Sequence, residues 1–192
     1  MVRHEMSSNS REAILAAAKR MAQAHGYNGL NFRDLSDEVG IKSASIYYHF
    51  PSKADLGAAV ARRYWEDTAS ALEAMLAETP DPARCLGRYP EVFRKALTIG
   101  NRMCLCSFMA AEYDDLPEAV KREVQAFAHV NVAWLRKLLS AAAVVNAGAS
   151  EQRARAIFAA VAGAQLIARG HSDIALYDSL IEAYRAAGLM PA

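Results

Sequence analysis

Apolar residues recur along most of the chain at three- and four-residue intervals, the period of a helix, and two-residue alternation is nowhere sustained. Ile14, Ala18, Met21 and Ala22 form the first stripe, which Gly26 ends. Asn31 is placed to cap a second helix with Phe32, Leu35 and Val39 at i, i+3 and i+7, and Gly40 to stop it. A third helix, barely two turns long, fits over residues 42–49. Pro51-Ser52 opens a fourth, with Ser52 as cap and Asp55 three residues on, a capping-box arrangement. Nothing interrupts it before Glu78, so it runs on the order of 40 Å at about 1.5 Å per residue.

Beyond Thr79-Pro80-Asp81-Pro82 the segments shorten. Gly87 and Pro90 divide the next one into a short turn of helix and a better helix reaching Ile99, closed by Gly100-Asn101. An apolar helix over 103–113 ends at Asp114-Asp115-Leu116-Pro117. The longest stripe follows, through Val120, Val124, Phe127, Asn131, Trp134 and Leu138. Residues 146–150 break the chain with Ser150 as the next cap, and two last helices are expected over about 151–169 and 174–187. The fold class is all-α: three short helices, one long connecting helix, then a bundle of five.

Composition narrows the class of protein. A chain of 192 residues, 53% hydrophobic and 22% charged, can bury a proper core and is not of the disordered type. Net charge is +1, so any surface for a polyanion must be local. The opening MVRHEMSSNSREA carries charges where a signal peptide needs an apolar run, and no segment approaches the roughly 18 apolar residues of a membrane span. A cytoplasmic protein with no membrane partner is expected. Three cysteines, Cys85, Cys104 and Cys106, are odd in number and too few for a disulfide framework.

The candidate chemistry sits in GIKSASIYYHFPSKADL, residues 40–56. With Ile46 directed at the core, a rotation of about 100° per residue brings Phe50 close to the same side, while Ala44 and Tyr48 point away. Ser45 and Tyr47 flank them, and Lys42, His49 and Lys53 surround the face. A helix, a Gly-containing turn and a second helix with an exposed polar and aromatic face make the geometry of a helix-turn-helix reader. Ala44 then meets a thymine methyl, while Tyr48 and Ser43 reach base edges. Ser45, Tyr47, His49 and Lys53 hold phosphates, with Arg33 and Lys42 completing the interface. The charge of this region is slight, since residues 1–56 hold 7 Lys/Arg against 6 Asp/Glu. The same shape also occurs in proteins that never touch DNA.

Residues 8–56, and that stretch above all, resemble the DNA-binding half of the tetracycline-repressor (TetR) family. Its pattern, roughly Gly-Val-Ser-x-Gly-Ser-Leu-Tyr-x-His-Phe-x-Ser-Lys-x-x-Leu, is met by Gly40, Ile41, Ser45, Ile46, Tyr47, His49, Phe50, Ser52, Lys53 and Leu56. GYNGLNFRDLSDEVG is similar to the start of the family's second helix. Lys42 and Ala44 depart from it, where Ser and Gly are common. The resemblance implies a ligand-responsive repressor rather than an enzyme, with no cofactor. It also implies an all-helical homodimer on double-stranded, pseudo-palindromic operator DNA, which a small-molecule effector releases. The expected domains are a helix-turn-helix domain over 1–56 and an effector-binding and dimerisation domain over 57–192.

The second half points independently to a dimer. AIFAAVAGAQLIARG is crowded with Ala and Gly, and Ile174, Tyr177, Ile181 and Tyr184 give the last helix a stripe that a small bundle hardly needs for itself. Two such helices from each subunit form an isologous four-helix interface; the alternative is that both pack within one chain. For an effector site the candidates are Trp65, Phe93, Met103, Cys106, Met109, Phe127, Asn131 and Gln165, with Phe108, Phe158, Tyr113 and His171 behind them. Aromatic and methionine residues at helical spacing also serve simply as core. Asn131 and Gln165 interrupt apolar stripes, so each amide must bond the other, a nearby backbone, or a ligand.

Cys104 and Cys106 allow three readings. Spaced i, i+2 they leave a helix on different sides, and no His or Cys cluster completes a metal site. They are either inert core thiols or, at a helix start beside Arg102, a thiolate sensor with Cys106 the better placed; a small subgroup of the resembled family senses electrophiles in this way. A helical thiol redox enzyme or carrier built on Cys104/Cys106 is the rival, without a Cys-x-x-Cys motif or a neighbouring base.

Overall fold

The computed structural model of the protein describes residues 2–143 and 147–191, and among them there is no strand. Ten α-helices follow one another: α1 (Val2–His25), α2 (Phe32–Val39), α3 (Ser43–His49), α4 (Lys53–Glu78), α5 (Pro82–Arg88), α6 (Pro90–Thr98), α7 (Leu105–Ala111), α8 (Glu118–Ala141), α9 (Ser150–His171) and α10 (Ile174–Ala186). Two short 3-10 turns lie at Tyr113–Asp115 and Ala147–Ala149. No helix among the described residues is long and apolar enough to cross a membrane.

Local signals place most helix ends. Asn31 Oδ1 accepts the Arg33 N–H at 2.8 Å and so caps α2. Gly40 ends α2 in the left-handed region (φ 72°), its N–H donating to Ser36 O at 2.9 Å. Ser52 Oγ accepts the Asp55 N–H at 3.1 Å and donates to Asp55 Oδ2 at 2.7 Å, so the return bond of the box runs through the hydroxyl. Asp81 and Asp173 cap α5 and α10 in the same way.

Four expectations need correction. α1 is not short: it is 24 residues long, and the Ile14 stripe marks only its second half. α7 starts two residues later than expected, at Leu105, and the Cys104 N–H before it donates to Gln165 Oε1 at 2.9 Å. Ser150 does not cap α9 but is its first, buried residue; the cap position is Ala149, with no side-chain bond. Six helices follow α4 rather than five, since the turn before Pro90 is the separate helix α5. The break expected over 146–150 lies outside the described residues at Asn146.

The chain divides into two compact units: Met1–Tyr64 with Leu105–Gln125, and Trp65–Cys104 with Ala126–Ala192. In the first, α1 packs on α2, α3 and α7, and Ile14, Leu15, Ala18, Leu35, Ile46, Phe50 and Leu56 form its centre. In the second, α9 packs on α6 and α10 around Phe93, Leu97, Ile157, Val161, Tyr177 and Ile181. Two residues of the α10 stripe, Tyr177 and Ile181, are turned inward, while Ile174 and Tyr184 are half-buried. Tyr177 is 1% exposed and its hydroxyl donates to Pro90 O at 2.8 Å, so this part of the stripe is used within the subunit.

Candidate nucleic-acid interface

The seven residues of α3 are anchored by two side chains. Ile46 and Phe50 are buried, and the Phe50 N–H closes the helix on Ile46 O. Helical geometry then forces Ala44, Ser45, Tyr47 and Tyr48 outward, where all four are exposed. Tyr48 is 80% exposed and Tyr47 55%; the Tyr47 ring leans on Phe32 at 4.6 Å. His49 is half-buried beside Tyr48, with ring centroids 5.2 Å apart. Lys42 is exposed at the start of the helix.

Two of the expected contact residues have partners inside the protein. Ser43 Oγ donates to Ser36 Oγ at 3.1 Å, and Ser36 Oγ in turn donates to Arg33 O at 2.7 Å, so that hydroxyl ties α3 to α2. Lys53 Nζ donates to Asn28 O at 2.9 Å and lies 4.9 Å from the centre of the Tyr27 ring. Arg33 is exposed. Together with Asn28, Asn31, Phe32 and Tyr47, the residues Arg33, Ser43 and Lys53 line a hollow of about 550 Å³ in the first unit. Two cationic groups, two amides and a phenol around such a hollow suit a phosphodiester backbone.

The effector candidates are not gathered in one unit. Cys106 and Met109 belong to the first, while Trp65, Phe93, Met103, Phe127, Asn131 and Gln165 belong to the second. Phe93 meets Phe127 and Phe158 edge to face, with centroids 6.4 and 6.2 Å apart, and Phe127 and Phe158 are tilted against each other at 6.0 Å. Both buried amides are satisfied by the protein. Asn131 Oδ1 accepts the Tyr89 hydroxyl and its Nδ2 donates to Phe127 O, each at 2.8 Å. Gln165 Oε1 accepts the Cys104 N–H, and its Nε2 donates to Phe93 O at 2.6 Å. Tyr113 and His171 are exposed, and Phe108 is half-buried.

All three thiols are free and buried. Cys106 Sγ sits 4.0 Å from Ala61 O, and Cys104 precedes α7 rather than starting it. Burial pushes the Cys85 thiol above its ordinary range, despite the nearby Arg88. Burial of this kind keeps thiols from reagents in solution. No cluster of His, Cys, Asp or Glu that could hold a metal occurs among the described residues.

One polar residue of this region escaped sequence reasoning. Glu112 receives the backbone N–H of Tyr27 at 2.6 Å and of Asn28 at 3.3 Å. Its partners lie 85 and 84 positions away, and no local pattern marks it.

Comparison with known proteins bears on the same region. Residues 14–60 match the family described as bacterial regulatory proteins, tetR family. The chain is 39% identical over 66 residues to the HTH-type transcriptional repressor AcnR of Corynebacterium glutamicum, and the match spans about a third of that relative's length (34% of each protein). It is 46% identical over 43 residues to the HTH-type transcriptional regulator LmrA of Bacillus subtilis, over 22% of this chain and 23% of that protein. The fold likeness extends much further. A TetR-family transcriptional regulator from Agrobacterium tumefaciens superposes with a TM-score of 0.85 at 29% identity, covering 92% of this chain and 96% of the other. The thiol-enzyme reading finds no support in these relatives.

Proposed function

The chain belongs to the tetR family of bacterial regulatory proteins, and from that premise we propose that it is a DNA-binding transcriptional repressor acting as a homodimer. Residues 1–56 form the reading domain and 57–192 the effector-binding and dimerisation domain. The observation that carries the reading is α3. It holds itself in place with Ile46 and Phe50 and leaves Ala44, Ser45, Tyr47 and Tyr48 exposed, Tyr47 alone resting its ring on Phe32. Laid in the major groove, Ala44 and Tyr48 meet base edges, while Ser45, Tyr47, His49, Lys42 and Arg33 meet phosphates. Lys53 joins them by leaving Asn28 O or by sharing its ammonium hydrogens.

The dimer reading is supported by α9. Ala156, Ala159, Ala160, Gly163, Leu166, Ile167 and Gly170 fall within about 60° of one direction at 100° per residue, with no charge among them. Leu166 and Ile167 are 56% and 47% exposed. A second copy laid on this face would bury it and set two reading helices on half-sites roughly 34 Å apart. An effector would bind in the second unit, where the buried indole N–H of Trp134 has no acceptor among the described residues.

The test uses duplexes enriched from a random pool by the protein. An enriched, pseudo-palindromic duplex whose binding falls steeply with salt is expected. Gly163→Glu should leave the subunit folded, because a Cβ at Gly163 meets nothing within 4 Å in the chain. In sedimentation it should yield a monomer that loses tight binding. No enrichment by the wild type would end the DNA reading, and an unchanged dimer in Gly163→Glu would move the interface elsewhere.

A further inference from the structure

Five consecutive backbone N–H groups in the turn between α1 and α2, those of residues 26–30, have acceptors, and two of the five depend on one carboxylate. Gly26 donates to Ala22 O at 2.8 Å, Gly29 to His25 O at 3.2 Å and Leu30 to Tyr27 O at 3.1 Å. The N–H groups of Tyr27 and Asn28 go instead to Oε2 and Oε1 of Glu112, which follows α7. Asn28 is held twice more, its Nδ2 donating to Asp115 Oδ2 at 3.0 Å and its carbonyl accepting Lys53 Nζ at 2.9 Å. The approach is so close that a Cβ at Gly26 would stand 2.3 Å from Glu112 Oε2, and Gly26 also has φ 72°. Asn28 and Lys53 line the same hollow as Arg33, Ser43 and Tyr47.

We propose that Glu112 is a positioning residue for DNA reading: a carboxylate outside the reading domain that fixes the α1–α2 turn, and through it the placement of Asn28, Lys53 and α2 against the operator. The inference rests on the DNA-binding reading above. Its physical basis is that an ionised acceptor of two backbone donors is among the stronger hydrogen-bond arrangements a protein makes. Without it, two N–H groups of the turn lose their acceptor and the segment is free to take other conformations.

Electrostatics and positioning predict opposite signs, which makes the inference testable. Removing a negative charge from a DNA-binding unit should by itself strengthen association with any duplex. Loss of positioning should weaken binding only to the sequence for which the turn is set. The probes are the duplex enriched by the wild-type protein and a scrambled duplex of equal length and composition. For Glu112→Ala we expect affinity for the enriched duplex to fall about tenfold, with affinity for the scrambled duplex equal or slightly higher. Glu112→Gln, which keeps the size and one acceptor oxygen, should fall between Glu112→Ala and wild type, and it serves if Glu112→Ala fails to fold. Amide hydrogen exchange at Tyr27 and Asn28 should speed up in the same order. Enriched and scrambled duplexes changing in parallel, or specific affinity unchanged in both variants, would overturn the role. Failure of the wild type to enrich any duplex would instead defeat the DNA reading on which it rests.

Discussion

Tyrosine is used in opposite ways on α3 and at the centre of the second unit. On α3, Tyr47 and Tyr48 are 55% and 80% exposed. In the second unit Tyr89 and Tyr177 are 0% and 1% exposed, and each hydroxyl has a single acceptor, Asn131 Oδ1 and Pro90 O respectively. Burial pushes both phenols above the ordinary range. A buried phenol stabilises through its ring and costs dearly if its hydroxyl loses its partner. An exposed one contributes little to folding and is left available for a role outside the fold. Residues of one type thus separate what the subunit needs for itself from what it offers to a partner.

The sharpest way to break this contrast is at Asn131. Asn131→Ala strands the Tyr89 hydroxyl in a dry core and opens a cavity, for an expected loss of about 2–4 kcal/mol in urea unfolding. Combining Tyr89→Phe with Asn131→Leu removes both polar partners and should recover a good part of that loss. A loss well under about 1 kcal/mol for Asn131→Ala would mean that the pair does not anchor the core.

Next in size is Gly26. Gly26→Ala forces a side chain into φ 72° and against Glu112, whereas Gly40→Ala meets the same φ with nothing within 4 Å. Roughly 1–2 kcal/mol is expected from the backbone alone in Gly40→Ala, and more in Gly26→Ala. Equal losses would show that the carboxylate moves aside freely.

On the reading helix the effect on stability should nearly vanish. Tyr48→Ala is expected to stay within about 0.5 kcal/mol of wild type in unfolding while changing which bases the enriched duplex tolerates. Lys53→Ala should weaken all duplexes alike, lower the salt slope by about one, and cost up to about 1 kcal/mol of stability through Asn28 O and the Tyr27 ring. A large stability loss in Tyr48→Ala would place that ring in the fold after all.

The smallest effect is expected beside Tyr177. The Arg94 guanidinium hydrogen-bonds Asp178 at 2.7 and 2.8 Å and holds its carboxyl below the ordinary range. A depressed folded value contributes stability above the unfolded value of about 4, and that contribution is lost as pH falls through the folded value. Asp178→Asn should therefore be less stable by a few tenths of a kcal/mol at neutral pH, the pair being exposed, and the gap should close in acid.

The features readable in the sequence are those whose causes lie within about four residues. Asn31, Gly40 and the Ser52 cap all act where local pattern placed them, and the alternation of Ile46 and Phe50 with Ala44 and Tyr48 oriented α3. The bond from the Cys104 N–H to Gln165 Oε1 lay beyond local pattern, because its partners are 61 positions apart. The α10 stripe divides between Tyr177 and Ile181, which the subunit itself buries, and Ile174 and Tyr184, which it leaves half-buried. Periodicity shows that a face must be buried, and it carries no information on which surface buries it. The same limit hid Glu112, an ordinary acid in sequence until folding brings it to the turn after α1. Chain-local chemistry determined which segments are helical and which way the reading helix faces; only the tertiary structure decided which long-range donors meet which acceptors, because those pairings depend on distances that no spacing along the chain encodes.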